Sequence, residues 1–248
     1  MPHLKLVIVP TYNELENISD MVQTVMQLEG NFELLIIDDG SPDGTAQVVK
    51  TLQNTYEGRL HLMERAGKLG LGTAYIAGFH WALARNYDFI FEMDCDFSHD
   101  PKDLIRLYEA IQNRSYDLAV GSRYITGVNV VNWPMGRVLM SYFASKYVNL
   151  VTGLPINDAT AGFKCYHRSV LEGIDLNAIQ FIGYAFQIEM KFTAWKLGYK
   201  LVEVPIIFTD RTRGQSKMSP GIFKEAVLGV IWMKIKSIIS PFRSVKSY

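Results

Sequence analysis

Five short apolar runs, at residues 4–9, 33–37, 60–63, 89–93 and 118–120, alternate with helical patterns at 15–28, 43–55, 71–85 and 101–113. Strand, helix, strand at this pitch predicts βαβ units and a parallel sheet. The runs are apolar at both parities, so each strand needs cover on both faces. Helix starts are marked by Ser41-Pro42-Asp43 and by Asp100-Pro101, each offering a cap, a first-turn proline and an acid near the dipole. Ligands of such sheets sit beyond the carboxyl ends of the strands.

After residue 121 the rhythm breaks. Trp133-Pro134 precedes a helical pattern whose broad apolar side holds Val138, Leu139, Tyr142, Phe143, Tyr147, Leu150 and Val151. Arg137, Ser141 and Ser145 recur every four residues on another side. A β-like stretch at 162–167, a helix near 185–197, a strand at 201–208, a polar loop at 210–220 and a basic tail helix at 221–239 complete the chain. The tail's longest uncharged apolar run, 226–233, is far short of the ~18–20 residues of a membrane span. The expected division is a catalytic domain at 1–218 and a basic amphipathic helix at 219–248.

Net charge is zero, but unevenly spread. Residues 1–210 carry 17 Lys+Arg against 24 Asp+Glu, and residues 211–248 carry eight basic residues and one acid. That tail suits an anionic neighbour such as a membrane surface. A nucleic-acid footprint would be broader and more basic. Two cysteines cannot form a disulfide framework or a zinc ribbon, so a reducing compartment is expected. The N-terminus lacks a signal-peptide pattern.

Three strand ends gather acids: Glu14 after the first, Asp38 and Asp39 after the second, Asp94 and Asp96 after the fourth. Clustered acids are costly unless a cation or hydrogen-bond donors compensate. Asp94 and Asp96, one residue apart on a turn, suit a hard cation such as Mg²⁺ or Mn²⁺, with helix capping as the competing role. A dinucleotide fingerprint is missing after the first strand, and the glycines at 67–72 follow the third strand in the wrong pattern. There is no Walker A sequence, no H-x-x-x-H and no G-x-S-x-G elbow. Hydride transfer, NTP hydrolysis and serine hydrolysis are thereby disfavoured.

The segments PTYNE (10–14), DDGSPDGT (38–45), KLGLGTA (68–74), MDCDFSH (93–99), GSRY (121–124), AGFKCY (161–166), FQIEM (186–190) and RTRGQSK (211–217) resemble family 2 glycosyltransferases, and among them the polyprenyl-phosphate mannose synthases. The resemblance implies an α/β GT-A fold, a doubly wound, mostly parallel sheet flanked by helices. By matching position, Pro10, Tyr12, Glu14, Ile37 and Asp39 would hold the nucleoside. Asp94 and Asp96 would bind Mg²⁺ or Mn²⁺, with Cys95 touching the donor. Arg123, Arg211 and Lys217 would contact the diphosphate or sugar, and Arg123, Arg137 and Ser141 the acceptor phosphate. Asp96 and Arg123 are thus the expected catalytic residues. Cys95 stands where alanine is usual, and Ser98 where some members have a glutamine metal ligand.

The implied reaction moves mannose from GDP-mannose to a polyprenyl (dolichyl-type) phosphate with inversion. A phosphomonoester, with its second pKa near 6, is already an anion at neutral pH and needs cations rather than a base. Rival readings are UDP-glucose or another donor on the same lipid, transfer to a saccharide hydroxyl, and a non-catalytic subunit that binds nucleotide-sugar. The implied place of action is the cytoplasmic face of a membrane, held peripherally, with room for a membrane-anchoring partner protein.

Overall fold

The computed structural model describes residues 3–211, 220–239, 242, 244 and 245, the stretch 220–226 by its backbone alone. The first half alternates as its sequence demands: β1 (Lys5–Thr11), α1 (Leu15–Met26), β2 (Phe32–Asp38), α2 (Thr45–Gln53), β3 (Leu60–Glu64), α3 (Leu71–Ala84), β4 (Phe89–Glu92), α4 (Asp103–Ile111) and β5 (Leu118–Ser122). Then come β6 (Val130–Val131), α5 (Met135–Thr152), β7 (Lys164–His167), α6 (Arg168–Gly173), a 3-10 turn (Leu176–Ala178), α7 (Tyr184–Lys196), β8 (Leu201–Pro205), β9 (Phe208–Thr209) and α8 (Pro220–Ile239).

Seven strands form one sheet in the order β3-β2-β1-β4-β7-β5-β8. Only β7 is antiparallel to its neighbours, β4 and β5. Alternate side chains sort into two layers, as the pleat requires. Val7, Val9, Leu34 and Ile36 pack toward one side with Met21, Val22, Leu104 and Leu107. Leu6, Ile8, Leu35 and Ile37 pack toward the other with Phe79, Phe186 and Met190. This is the mostly parallel α/β architecture expected.

The sheet puts the chemistry on one edge. Thr11 pairs with Asp38, so β1 and β2 end together, and β4, whose last residue Glu92 pairs with Ile8, runs toward the same edge. β5 runs with β4, so Arg123 follows its end on the same edge, where β7 starts at Lys164.

Two local expectations change. The device at Ser41-Pro42-Asp43 acts earlier than the helix: α2 begins at Thr45 after a left-handed Gly44, and Asp43 accepts the Thr45 N–H and Oγ1–H. The strand expected over 201–208 is split, because β8 ends at Pro205 and β9 leaves to pair with β6. Proline has no N–H to continue a ladder. The apolar side of α5 is only partly covered, with Tyr147 and Val151 packed against the core. Ser145, Val148 and Thr152 face inward, while Leu139, Phe143 and Leu150 are exposed. Small residues let α5 sit close to α8, where the Tyr147 hydroxyl donates to the Val227 carbonyl at 2.9 Å. Val230 and Met233 of α8 are buried with Val148, Ile188 and Phe192.

Candidate active site

Each acid on the edge has a distinct environment. Asp38 is fully buried and builds the turn, accepting from Thr11 Oγ1 (2.9 Å), Ser41 N (2.8 Å) and Ser41 Oγ (2.6 Å). Asp39 is gripped in two-pronged fashion by Arg65, Nε to Oδ1 at 2.6 Å and Nη2 to Oδ2 at 2.8 Å. Arg65 is itself fixed by donating to Thr73 Oγ1 at 2.8 Å. A planar guanidinium holds a carboxylate in one orientation, which fixes the direction of its remaining lone pairs. Lys68 Nζ lies 5.3 Å from the centre of the Tyr12 ring. Glu14 is held at both ends, its N–H donating to Thr45 Oγ1 and its carboxylate accepting from Asn17 Nδ2. Pro10 is half-buried, and the Ile37 side chain lies wholly in the core.

The glycine segment after β3 serves packing. Gly70 has φ +102°, and a Cβ at Gly72 would lie 2.8 Å from the Phe181 carbonyl oxygen and from the Phe186 ring. Glycine there lets α3 start against the 181–186 segment.

Beyond β4, Asp94 is half-buried and Asp96 almost fully so. Burial first, and then the Asp96 charge, push the Asp94 carboxyl up to about 7, against the opposing pull of Arg211. Asp96 accepts the Ser98 N–H at 3.1 Å and pairs with Arg211, Nη2 to Oδ2 at 3.1 Å. Two carboxylates that resist sharing negative charge fit a divalent cation, which would relieve that repulsion. No group of three metal-ligating side chains exists among the described residues, so waters and ligand oxygens would complete the shell. Cys95 is buried in the core.

Beyond β5, Arg123 is locked to Asp158. Its backbone N–H (3.0 Å), Nε (2.7 Å) and Nη2 (2.6 Å) all donate to that carboxylate, and Nη2 also to Thr160 Oγ1 (2.8 Å). Burial favours the neutral Asp158, but the Arg123 guanidinium overcomes it and holds the carboxyl below its ordinary range. Three rings surround the Arg123 guanidinium: Tyr124, Trp133 and Phe208, at 5.2 to 5.6 Å. Arg137, in the first turn of α5, stacks on the same Trp133 at 4.2 Å and pairs with Asp210 at 3.0 Å. Ser141 lies one turn further on, beside the Tyr124 hydroxyl.

Under this edge runs a buried polar network. Glu92 and Lys164, both fully buried, pair at 3.1 Å. Glu92 also accepts from the Tyr166 hydroxyl at 2.7 Å and from Gln187 Nε2 at 2.8 Å, while Lys164 donates to Gln187 Oε1. Such a network, fully partnered, fixes the strand from which Asp94 and Asp96 leave.

The edge therefore gathers Tyr12, Glu14, Asp39, Asp94, Asp96, Arg123, Arg137, Ser141 and Arg211. Direct contact joins Asp96 to Arg211. Lys217 lies outside the described residues. The sequence reading missed Arg65, Trp133, Asp158 and Asp210. Their only signal was charge or aromaticity at the motif borders.

This sheet edge, with paired acids beside clustered arginines, is that of a GT-A glycosyltransferase. The Glycosyl transferase family 2 profile matches residues 6–175, and the chain belongs to that family. It is 45% identical over 240 residues to the polyprenol monophosphomannose synthase of Mycolicibacterium smegmatis, covering 97% of this chain and 90% of that one. It is 44% identical to the undecaprenyl-phosphate mannosyltransferase of Micrococcus luteus, covering 91% of each. A similar fold occurs in the glucosyl-3-phosphoglycerate synthase of Mycobacterium tuberculosis in complex with Mn²⁺, UDP and glucosyl-3-phosphoglycerate (TM-score 0.62, 18% identity, 97% of this chain and 80% of that one). A mannosyltransferase of Pyrobaculum calidifontis, in complex with GDP-Man and Mn²⁺, is also similar (TM-score 0.55, 16% identity, 92% and 69%).

Proposed function

We propose that this enzyme transfers a mannosyl residue from GDP-mannose to a polyprenyl phosphate, inverting the anomeric centre. The names of the two relatives at 44–45% identity support the reaction class. The observation that carries it is the state of the carboxylate beside Arg123. Asp158 is fully buried and bound by Arg123 through three donors, so it is not poised as the base a hydroxyl acceptor would need. A phosphate monoester needs none, and Arg123, Arg137 and Ser141 are suited to bind and aim it.

Tyr12, Glu14 and Asp39, the last oriented by Arg65, hold the nucleoside beside Pro10; Ile37 and Cys95, whose side chains are buried, offer it only their backbone. Asp94 and Asp96 hold Mg²⁺ or Mn²⁺, which when bound neutralises charge on the departing diphosphate. Arg211, paired with Asp96, adds positive charge on that side. The phosphate oxygen then attacks the anomeric carbon as the bond to the diphosphate breaks, and the sugar arrives on the lipid in the opposite configuration. The testing experiment offers the purified protein each sugar nucleotide in turn with Mn²⁺ and polyprenyl phosphate. Lipid-linked mannose from GDP-mannose is expected. Transfer from another donor, or to a saccharide only, would overturn the reading.

Arg137→Ala should raise the lipid KM or lower turnover by roughly 10- to 100-fold, the range for losing a charge-assisted contact. Donor binding, followed by calorimetry, should hardly change. Arg137→Lys should restore only part, since an ammonium cannot make the planar contact.

The setting is the cytoplasmic surface of a membrane. No helix among the described residues is long and apolar enough to cross one. Instead α5 presents Met135, Phe143 (62% exposed) and Leu150 (86%), and α8 presents Leu228, Trp232, Ile235 and Ile238. The two helices are in contact, the Tyr147 hydroxyl donating to the Val227 carbonyl and Lys234 Nζ to the Thr152 carbonyl. Lys146, Lys234 and Lys236 supply positive charge for anionic headgroups. Phe143→Ser with Leu150→Ser should cut flotation with anionic vesicles by about 10-fold or more, given ~1.5–3 kcal/mol per buried apolar side chain. Turnover of a short water-soluble prenyl phosphate should be unaffected. Unchanged flotation would point to an anchoring protein as the occupant of that face.

A further inference from the structure

Asp210 sits where the two halves of the site meet. It follows β9, which is tied on one side to the Asp96 turn, Thr209 N–H donating to the Ser98 carbonyl at 3.1 Å. On the other side β9 pairs with β6, and the Asp210 N–H donates to the Val131 carbonyl at 3.0 Å. The same oxygen, Asp210 Oδ1, accepts from Arg137 Nη1 at 3.0 Å and from the Arg211 backbone N–H at 3.1 Å. Arg211 in turn reaches Asp96. A continuous chain thus runs from Asp96 through Arg211 and Asp210 to Arg137, and across Trp133 to Arg123.

A carboxylate on Arg137 is a competitor for any phosphate that Arg137 must bind. Its presence makes sense if it withdraws when it is no longer needed. Arg211 is the shared residue: its guanidinium holds Asp96 and its backbone N–H anchors Asp210 Oδ1, so a ligand that takes Arg211 from Asp96 acts on the residue that fixes Asp210. The geometry points to Asp210 as a positioning residue that couples the half-sites: it holds Arg137 until the donor side is filled, then releases it to the acceptor phosphate. This inference rests on the acceptor assignment proposed above. The consequence is that a phosphate binds Arg137 less tightly before a donor is present, which disfavours an unproductive complex.

The test is calorimetry on the full chain, with geranyl phosphate as acceptor probe, in the presence or absence of GDP plus Mn²⁺ and, in a parallel arm, UDP plus Mn²⁺. In the wild type, nucleotide and Mn²⁺ should tighten geranyl phosphate binding by about 10-fold, within the usual range of site coupling, and geranyl phosphate should tighten nucleotide binding by the same factor. Asp210→Asn keeps the shape and an oxygen for the Arg211 N–H but removes the charge. It should bind geranyl phosphate about as tightly alone as the wild type does with nucleotide, and the coupling should fall to about one in both directions. Asp210→Glu should restore part of the coupling. Coupling of wild-type size in Asp210→Asn would overturn the inference, and so would a variant that merely melts earlier and binds neither probe. Arg137→Ala keeps the two readings apart. If it leaves geranyl phosphate binding untouched, the acceptor assignment has failed. If it abolishes binding while Asp210→Asn keeps full coupling, only the role of Asp210 has failed.

Discussion

Asp96→Asn is expected to lower turnover by about 10²-fold or more while leaving the fold intact. The substitution keeps an oxygen for the Ser98 N–H and removes only the charge. What is lost structurally is the pair with Arg211, a quarter-exposed side chain, and such pairs contribute ~0–1 kcal/mol. What is lost functionally is one of two carboxylates able to fix a cation where negative charge develops on the leaving diphosphate. Removing a preorganised contact of that type costs 10²–10³-fold. Melting temperature and turnover should therefore separate: little change in the first, a large fall in the second. Activity of the wild type should vanish in chelator and return with Mg²⁺ or Mn²⁺. Full activity in excess EDTA would remove Asp94 and Asp96 from the role of cation ligands.

Those two aspartates were legible in the sequence for a physical reason. Parallel strands end on one edge, so acids that follow successive apolar runs must converge. β1, β2, β4 and β5 were equally legible, because strands covered on both faces read as nearly unbroken apolar runs, a polar residue such as Glu92 entering only with a buried partner. β7 was not placed by the same reasoning. Its four residues show β character, but nothing local says that they enter between β4 and β5 in the opposite direction. The periodicity of α5 was legible and its orientation was left open: a repeat defines an apolar stripe without saying whether protein or lipid covers it. The ion-pair partners escaped for another reason. Arg65 stands 26 residues from Asp39, Asp158 35 from Arg123, and Asp210 73 from Arg137. Pairing over such spans is decided by tertiary packing, and a lone charge in a loop gives no spacing pattern to recognise. Arg123 shows what this changes. Motif position marks it as a substrate contact, and the structure adds that most of its donors are already committed to Asp158 and Thr160.

Asp158→Ala follows from that commitment and should be the most destabilising single change near the site. Asp158 is fully buried, and Arg123 almost so. Removing the carboxylate strands a guanidinium that cannot shed its proton and leaves the Arg123 backbone N–H without its acceptor. Breaking a buried pair from one side costs ~3–5 kcal/mol. For a chain of this size each kcal/mol is worth ~2–4 °C, so the melting temperature should fall by roughly 6–20 °C. Replacing both partners with apolar residues should cost less than the sum of the single changes, because no charge is then left alone. The pair also has a pH signature. The folded pKa of Asp158 is depressed, so its contribution is complete above the unfolded value of ~3.9 and is lost as pH falls through the folded value. The stability lead of the wild type over Asp158→Asn should accordingly be constant from pH 7 to about 5 and shrink on further acidification. Thermal unfolding followed by circular dichroism across that range measures it. A melting temperature for Asp158→Ala within 2 °C of the wild type (the shift of less than ~1 kcal/mol) would mean that Arg123 finds another partner, and that its geometry at the acceptor site is not set by this carboxylate.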